Sequence, residues 1–150
     1  MPAPALLFVA HLAATLAMAG LIWFVQVVHY PLFARVGRRD YAAYAAAHGR
    51  RTTWVVAAPM LVELGTAVAL AWRRPPWMPA AAAWAGLALV LGVWASTWLL
   101  QVPRHQELDR GWDTRAHRRL VASNWLRTGL WTARAALLLA IVGRALAGTG

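Results

Sequence analysis

Three histidines are the residues of this chain whose surroundings best suit them to chemistry. His29 and His105 follow long apolar runs, each close to a proline, and His48 stands just before another apolar run. An imidazole gains and loses a proton near neutral pH, so it can act as a general base or as a metal ligand. Polar side chains at membrane depth are costly and therefore point to function. The three rings can act together only if the elements that carry them meet.

Four apolar segments supply those elements. The chain has 150 residues, 61% hydrophobic and 13% charged, which is unlike a soluble domain. The segments cover about residues 5–30, 52–72, 77–101 and 120–146, and each is long enough to cross a bilayer as a helix. Pro31 and Pro103 are expected to end the first and the third. Because lipid forces backbone groups to pair within each span, we predict an all-α membrane protein, one domain with a four-transmembrane-helix bundle.

The arginines predict how this bundle is oriented. The formal net charge is +10, and all 15 basic residues are arginine. Ten of them lie in the loops at residues 31–51 and 102–119, whereas the other side of the membrane has only Arg73, Arg74 and Arg144. By the positive-inside rule both long loops are cytoplasmic, and both termini lie on the non-cytoplasmic side. Since the charge is confined to short loops, we expect the lipid bilayer rather than nucleic acid as partner, and a bacterial inner membrane as location.

The first long loop contains a pattern of its own. Tyr41, Tyr44 and His48 recur at helical spacing, with alanine filling most positions between them. This pattern predicts a short interfacial helix between spans one and two, with the rings on one side. An extension of the second span is the alternative, and a plain interfacial anchor explains the rings equally well.

Polar side chains from all four spans are predicted to lie at one level near the cytoplasm. Gln26 and His29 are three residues apart, and Thr97 and Gln101 are four apart, so each pair can face one direction. A polar layer shared by four helices favours a binding pocket. The alternative is a set of hydrogen bonds, worth about 0.6–2 kcal/mol each, that only hold helices together. The predicted pocket residues are Gln26, His29, Tyr30, Tyr44, His48, Arg51, Gln101, His105, Asn124, Arg127 and Thr128.

A second group of charges lies deeper in the membrane. Glu63 and Arg134 are both roughly 16–21 Å from the cytoplasmic start of their spans, at 1.5 Å per residue. Because an unpaired charge there is costly, we predict a buried ion pair that fixes the packing of spans two and four. His11, early in the first span, is expected at the outer interface.

Metal or haem binding is a separate hypothesis. His29, His48 and His105 could ligate iron, copper or zinc, and His29 with His105 could be the axial ligands of haem. Compact motifs such as His-Glu-x-x-His are missing from the sequence. The chain has no cysteine, which excludes thiolate sites and disulfides.

The third loop and the fourth span resemble a known family. Residues 100–108 read LQVPRHQEL, Trp112 follows, and residues 124–128 read NWLRT. This is similar to the anthrone oxygenase-like family of small four-span membrane proteins, which carries a polar-Val-Pro motif after span three and an Asn-Trp-x-Arg motif at the start of span four. Pro31 and Pro59 also fit its first hairpin. The resemblance covers the layout of most of the chain, but few positions in detail.

The resemblance implies a function. Characterised members of that family oxidise polyketide anthrones to anthraquinones with O2 and without an established cofactor. Transferred to this sequence, the motifs mark Gln101, Pro103, His105, Asn124, Trp125 and Arg127 as site residues. The chain departs from the family at His29-Tyr30-Pro31 and His48, where it is richer in imidazole.

Together these features predict a membrane-embedded oxidoreductase or oxygenase-like protein that binds a lipophilic aromatic or quinone-like molecule on the cytoplasmic side. His29 or His105 acts as general base, and Arg127, Asn124 and Gln101 stabilise the developing oxyanion. This mechanism needs no cofactor. The alternatives are a haem- or metal-binding protein that uses the histidines, and a non-catalytic membrane scaffold. A homo-oligomer is compatible with the sequence.

Overall fold

The computed structural model describes residues 2–147 and is helical throughout that range apart from short connections. Four helical units are long and apolar enough to cross a membrane: α1 (Ala3–Arg35), α2 (Tyr41–Trp72), α3 (Ala80–Asp109) and α4 (Thr114–Ala147). The predicted all-helical class and the four membrane-length helices are therefore confirmed.

The four units form a closed ring of helices. Each packs against its neighbours in sequence, and α4 packs back on α1. Consequently α1 and α3 lie on one diagonal of the bundle, and α2 and α4 on the other. An apolar cluster joins Phe8 of α1, Leu70 of α2 and Leu138 of α4. The start of α1 and the end of α4 therefore share one end of the bundle, and the connections at residues 36–40 and 110–113 share the opposite end, which we call the loop end.

Two units contain a π-helical turn at matching positions. In α1 the α-helix Ala3–Phe24 leads into a π-turn at Val25–His29, followed by Tyr30–Leu32 and a 3-10 turn at Phe33–Arg35. In α3 the α-helix Ala80–Ser96 leads into a π-turn at Thr97–Gln101, followed by Val102–Asp109. Each π-turn ends two residues before a proline.

The π-turns explain how both units continue through their prolines. A proline has no N–H and crowds the carbonyl four residues earlier, so it usually ends or kinks a helix. Here the preceding turn is wider: the N–H of Tyr30 bonds to the Val25 carbonyl, five residues back, and α3 repeats this arrangement. The helical units therefore continue past Pro31 and Pro103, the positions at which the sequence predicts the ends of the two spans. Turns of this kind occur frequently at functional sites.

The helices also extend past the predicted spans at the loop end. α2 begins at Tyr41, so residues 41–48 form its first two turns and not a separate interfacial helix. α4 begins after Asp113, whose side chain accepts the N–H of Ala116 at 2.6 Å. The predicted bounds followed the apolar runs. The helices continue further because Tyr41 and Leu108, which lie beyond those runs, are buried in the same apolar cluster of the core.

Four outward-facing tryptophans mark one level of the bundle. They are Trp23, Trp54, Trp98 and Trp125, one from each unit, with exposed fractions from 43% to 82%. Tryptophan prefers the membrane–water interface, so this ring indicates the membrane boundary at the loop end. At 1.5 Å per residue, the three histidines lie roughly 9–11 Å beyond the ring, on the side of the loops.

Candidate functional site

A cavity of about 300 Å³ lies within the bundle at the loop end. All four units contribute to its wall, and apolar side chains such as Met18, Ile22 and Val56 form the part nearer the membrane. The polar side chains on the wall include Tyr30 from α1, His48 and Thr52 from α2, Thr97, Gln101 and His105 from α3, and Arg127 from α4. Five of the predicted site residues thus line one partly open cavity: Tyr30, His48, Gln101, His105 and Arg127.

The three histidines and Tyr30 form one group. The Tyr30 hydroxyl and His105 Nε2 share a hydrogen bond of 2.9 Å, and His29 Nε2 and His48 Nδ1 share one of 3.0 Å. The rings of His48 and His105 are stacked, with their centroids 5.8 Å apart. Thr52 also places its hydroxyl 3.1 Å from His48 Nδ1. Helices α1, α2 and α3 therefore bring three imidazoles and a phenol into contact.

The first π-turn separates two side chains that were predicted to share a face. His29 points toward α2 and contacts His48. Gln26 points toward α4, where its Nε2 donates to the Val121 carbonyl at 3.2 Å. The prediction that Gln26 and His29 face one direction is wrong, because a π-turn is wider than an α-turn and moves residues three apart away from each other around the axis.

Arg127 brings a buried positive charge to the cavity. Its side chain is 7% exposed, and no carboxylate of residues 2–147 forms a salt bridge with it. Its Nη1 donates to Asn124 Oδ1 at 3.4 Å, and its Cζ lies 5.1 Å from the ring centroid of Trp131. Its Nε is buried and has no hydrogen-bond partner in the described chain. A buried cation without a counter-charge is costly, so an oxygen-bearing molecule in the cavity would be favoured.

Gln101 offers an acceptor on the same wall. It is 2% exposed, and its Nε2 donates to Ser123 Oγ at 3.0 Å. Its Oε1 is buried and, within residues 2–147, unpaired. Since buried polar atoms are nearly always hydrogen-bonded, one free N–H of Arg127 and one free oxygen of Gln101 at a mostly apolar cavity suit an apolar molecule that carries a hydroxyl or carbonyl group.

Asn124 and Gln26 lie behind the cavity wall and not on it. Asn124 Nδ2 donates to Gln26 Oε1 at 2.8 Å, and the Thr128 hydroxyl donates to the Asn124 carbonyl at 3.1 Å. All three side chains are buried. The structure therefore places these predicted site residues where they position Arg127 and join α1 to α4, out of contact with the cavity.

Other predicted site residues also lie outside the cavity. His29, Tyr44 and Arg51 line a separate groove between α1 and α2. Trp125 faces outward, and its ring makes an edge contact with Trp23 at a centroid distance of 5.7 Å. Trp125 is therefore placed for contact with lipid and not with a molecule in the cavity.

Glu63 and Arg134 form an ion pair at the centre of the bundle. Arg134 Nη2 lies 3.0 Å from Glu63 Oε1, which joins α4 and α2 across their diagonal. The same guanidinium donates to the Gly86 carbonyl of α3 and to the Thr15 hydroxyl of α1, both at 3.1 Å. The pair thus contacts all four units. Hydrogen bonds on several sides are the condition under which a buried ion pair is tolerated.

The sequence analysis missed two members of this central cluster. His11 is buried and not at the outer interface: its Nδ1 shares a 2.7 Å hydrogen bond with the Thr66 hydroxyl, and its Nε2 lies 3.5 Å from Arg134 Nη2. Trp131 donates its indole N–H to Glu63 Oε2 at 2.9 Å. Helical spacing carried a signal for Trp131, which precedes Arg134 by three residues. No spacing within α1 indicates that His11 meets Thr66 and Arg134.

His117 is a further residue that the sequence did not single out for the site. Its Nε2 shares a 2.8 Å hydrogen bond with the backbone carbonyl of Tyr30, and its ring packs against Trp112 at a centroid distance of 4.8 Å. This contact fixes the short helical segment after the first π-turn. His117 therefore positions the Tyr30 side chain at the cavity without lining the cavity itself.

In this arrangement each of the three histidines uses one ring nitrogen in a hydrogen bond to another side chain. His29 Nε2, His48 Nδ1 and His105 Nε2 are engaged in the hydrogen bonds described above. Among residues 2–147, no group of three or more histidine, aspartate or glutamate side chains is arranged to hold a metal ion.

No protein-family model matches the chain, and no curated protein or solved structure is significantly similar to it. Function must therefore be inferred from the site. The geometry provides an apolar cavity, a buried cation, an unpaired acceptor and adjacent imidazoles. Such a site can bind an oxygen-bearing apolar molecule and exchange a proton with it.

Proposed function

We propose that the protein is a membrane-embedded oxidoreductase or oxygenase-like enzyme that binds a lipophilic aromatic or quinone-like molecule in the cavity between its four helices. The observation that carries this proposal is the pair of buried polar side chains on the cavity wall, Arg127 and Gln101, each of which has one atom without a hydrogen-bond partner in residues 2–147. They complement a carbonyl or hydroxyl group on a ring, and the apolar wall complements the ring itself.

The imidazoles supply the proton chemistry of the proposed reaction. His105 lines the cavity and is hydrogen-bonded to Tyr30, so it is placed to accept a proton from an acidic O–H or C–H of the bound molecule. A positioned base of this kind contributes a factor of about 10²–10⁴ to the rate. His48 lines the same cavity and contacts His29, which can carry the proton onward toward the groove between α1 and α2.

Arg127 stabilises the negative charge that deprotonation creates. A guanidinium in a site that excludes water stabilises a developing oxyanion strongly, because there is little solvent to screen it. Asn124 and Trp131 hold this guanidinium from two sides. For an anthrone-like substrate, the resulting enolate reacts with O2: the ring methylene becomes a carbonyl, and one water is released for each O2 consumed.

The proposal places this chemistry on the cytoplasmic side of a bacterial inner membrane, with both termini on the opposite side. The arginine-rich connections at the loop end support this orientation by the positive-inside rule. The resemblance of the polar-Val-Pro and Asn-Trp-x-Arg segments to anthrone oxygenase-like proteins supports the choice of reaction.

Oxygen uptake with anthrone, in proteoliposomes, tests the proposal. We expect saturable uptake of one O2 per anthrone, and a loss of about 100-fold or more in kcat/KM for Arg127→Met, because the oxyanion loses its charged donor. Arg118→Met is the matched control, since Arg118 is an exposed arginine of the same helix that does not line the cavity.

Two results would overturn the proposal. One is failure of anthrones, phenols and quinones to bind saturably to the wild-type protein. The other is equal activity of wild type and Arg127→Met. A visible spectrum and metal analysis of the purified protein separate the alternatives: a Soret band or stoichiometric iron or copper would replace cofactor-independent chemistry with the haem or metal hypothesis.

A further inference from the structure

A second depression adjoins the cavity. It has a volume of about 440 Å³ and lies between α1 and α2, and we call it the lateral groove. Leu21, Val25, His48 and Thr52 belong to the walls of both spaces. These four side chains therefore lie between the cavity and the groove.

The side chains that line the lateral groove change from polar to apolar along its length. At the loop end it is lined by His29, Tyr44 and Arg51. Toward the membrane it is lined by Phe24 and Val55, whose exposed fractions are 54% and 59%. Val55 is adjacent to Trp54, a member of the tryptophan ring, so this end of the groove opens at the edge of the hydrocarbon layer.

The size of the cavity limits what it can enclose. Ligand pockets usually measure about 300–1,000 Å³. At about 300 Å³ this cavity can hold an aromatic ring system but has no room for a long chain attached to it. A chain attached to that ring has to extend beyond the cavity, and the lateral groove is a mostly apolar space that shares four wall residues with the cavity.

We infer that the lateral groove holds the long apolar tail of the same molecule whose oxygen-bearing ring occupies the cavity. The preferred ligand is thus a ring with an isoprenoid or alkyl chain, and not a tail-less aromatic compound. This inference rests on the proposed function. It specifies the substrate class as a ring with a long apolar tail. It also gives a lateral route by which the tail remains in the lipid while the ring reaches His105.

Two quinones and one blocking variant test the inference. The ligands are decylubiquinone and the same benzoquinone without its decyl chain, each titrated calorimetrically in detergent micelles. Val55→Trp fills the membrane end of the groove from a lipid-facing position. Val62→Trp is the matched control, because Val62 is also lipid-facing on α2 and lies outside both spaces.

We expect wild type to bind the decyl compound about tenfold more tightly than the tail-less quinone. The preference is modest because a tail in detergent or lipid is already in apolar surroundings. Val55→Trp should abolish this preference and leave the affinity for the tail-less quinone unchanged, while Val62→Trp should retain it. If Val55→Trp does not fold, Phe24→Ala removes a wall of the groove and should reduce the preference in the same way.

The outcomes separate this inference from the proposed function. Equal affinity of wild type for the two quinones, or a preference that persists in both Val55→Trp and Phe24→Ala, would overturn the groove as a tail site and leave ring binding intact. Absence of binding by both quinones would overturn the inference, and absence of anthrone and phenol binding as well would overturn the proposed function.

Discussion

The guanidinium of Arg127 lies against the indole of Trp131, with its Cζ 5.1 Å from the ring centroid. The same indole donates its N–H to Glu63, which is paired with Arg134. One tryptophan therefore joins the cation of the cavity to the ion pair at the centre of the bundle. Its two contacts have different chemistry, so they can be removed one at a time.

Trp131→Phe should destabilise the protein and leave ligand binding nearly intact. Phenylalanine keeps an aromatic face for Arg127 but removes the N–H donor, so Glu63 Oε2 loses its partner at a cost of about 1–3 kcal/mol. Trp131→Leu removes the aromatic face as well and should also weaken quinone binding. Unfolding in mixed micelles and calorimetric titration measure the two effects.

Trp125→Phe, on the exposed side of α4, is the control and should change neither stability nor ligand affinity. Equal ligand affinities in Trp131→Phe and Trp131→Leu would contradict the cation–π contact.

The Glu63–Arg134 pair should show strong coupling in a double-mutant cycle. Glu63→Leu leaves a buried guanidinium unpaired, which costs about 3–5 kcal/mol. Adding Arg134→Leu should recover part of that loss, because no charge then remains buried at the centre. The free energy of unfolding of the two single variants and the double variant gives the coupling energy. Additive losses would show that the pair contributes no specific interaction. Arg144→Leu, at an exposed arginine of α4, is the control.

Substitution of the histidines at the cavity should lower the rate of O2 uptake without lowering the yield of folded protein. Replacing His105 by alanine removes the proposed base, so we expect anthrone-dependent O2 uptake to fall by about 10²–10⁴ while the protein is still produced and folded. His11→Ala provides the contrast, since His11 is a buried histidine of the ion-pair cluster and should alter stability while the chemistry is retained. Full activity in a His29→Ala, His105→Ala double variant would exclude acid–base catalysis by these rings.

The proposed orientation can be tested with single cysteines, because the natural chain contains none. A cysteine at exposed Arg74, between α2 and α3, should react with a membrane-impermeant maleimide added to intact spheroplasts. A cysteine at exposed Arg110, between α3 and α4, should react only after the membrane is opened. The reverse labelling pattern would place the loop end and the cavity on the outer side.

Much of the architecture could be predicted because it depends on hydropathy alone. Apolar length predicted four helices long enough to cross a membrane, and similar depths predicted the contact between Glu63 and Arg134 that the structure contains. The prediction failed where the backbone departs from a regular α-helix. Helical spacing placed Gln26 beside His29, but the π-turn at Val25–His29 turns them toward different helices.

The residues behind the cavity wall could not be predicted from helical spacing, for a different reason. Whether Asn124 lines the cavity or stands behind it depends on how closely α4 approaches α1, which no single segment encodes. The position of His11 depends likewise on Thr66 and Arg134 from two other helices. Burial of a polar side chain is a property of the assembled bundle, and its favourable contacts exist only after all four helices meet.

The tryptophan ring described above has an electrical consequence. The histidines lie roughly 9–11 Å beyond that ring, at the level of the lipid headgroups or outside it, on the side that the loops face. Protons taken up or released there exchange with that same aqueous phase and do not cross the low-dielectric layer. Moving a charge through the bilayer would make the rate respond to voltage by about 2.3 kcal/mol per 100 mV. The proposed reaction should therefore be electroneutral, equally fast in energised and in depolarised vesicles.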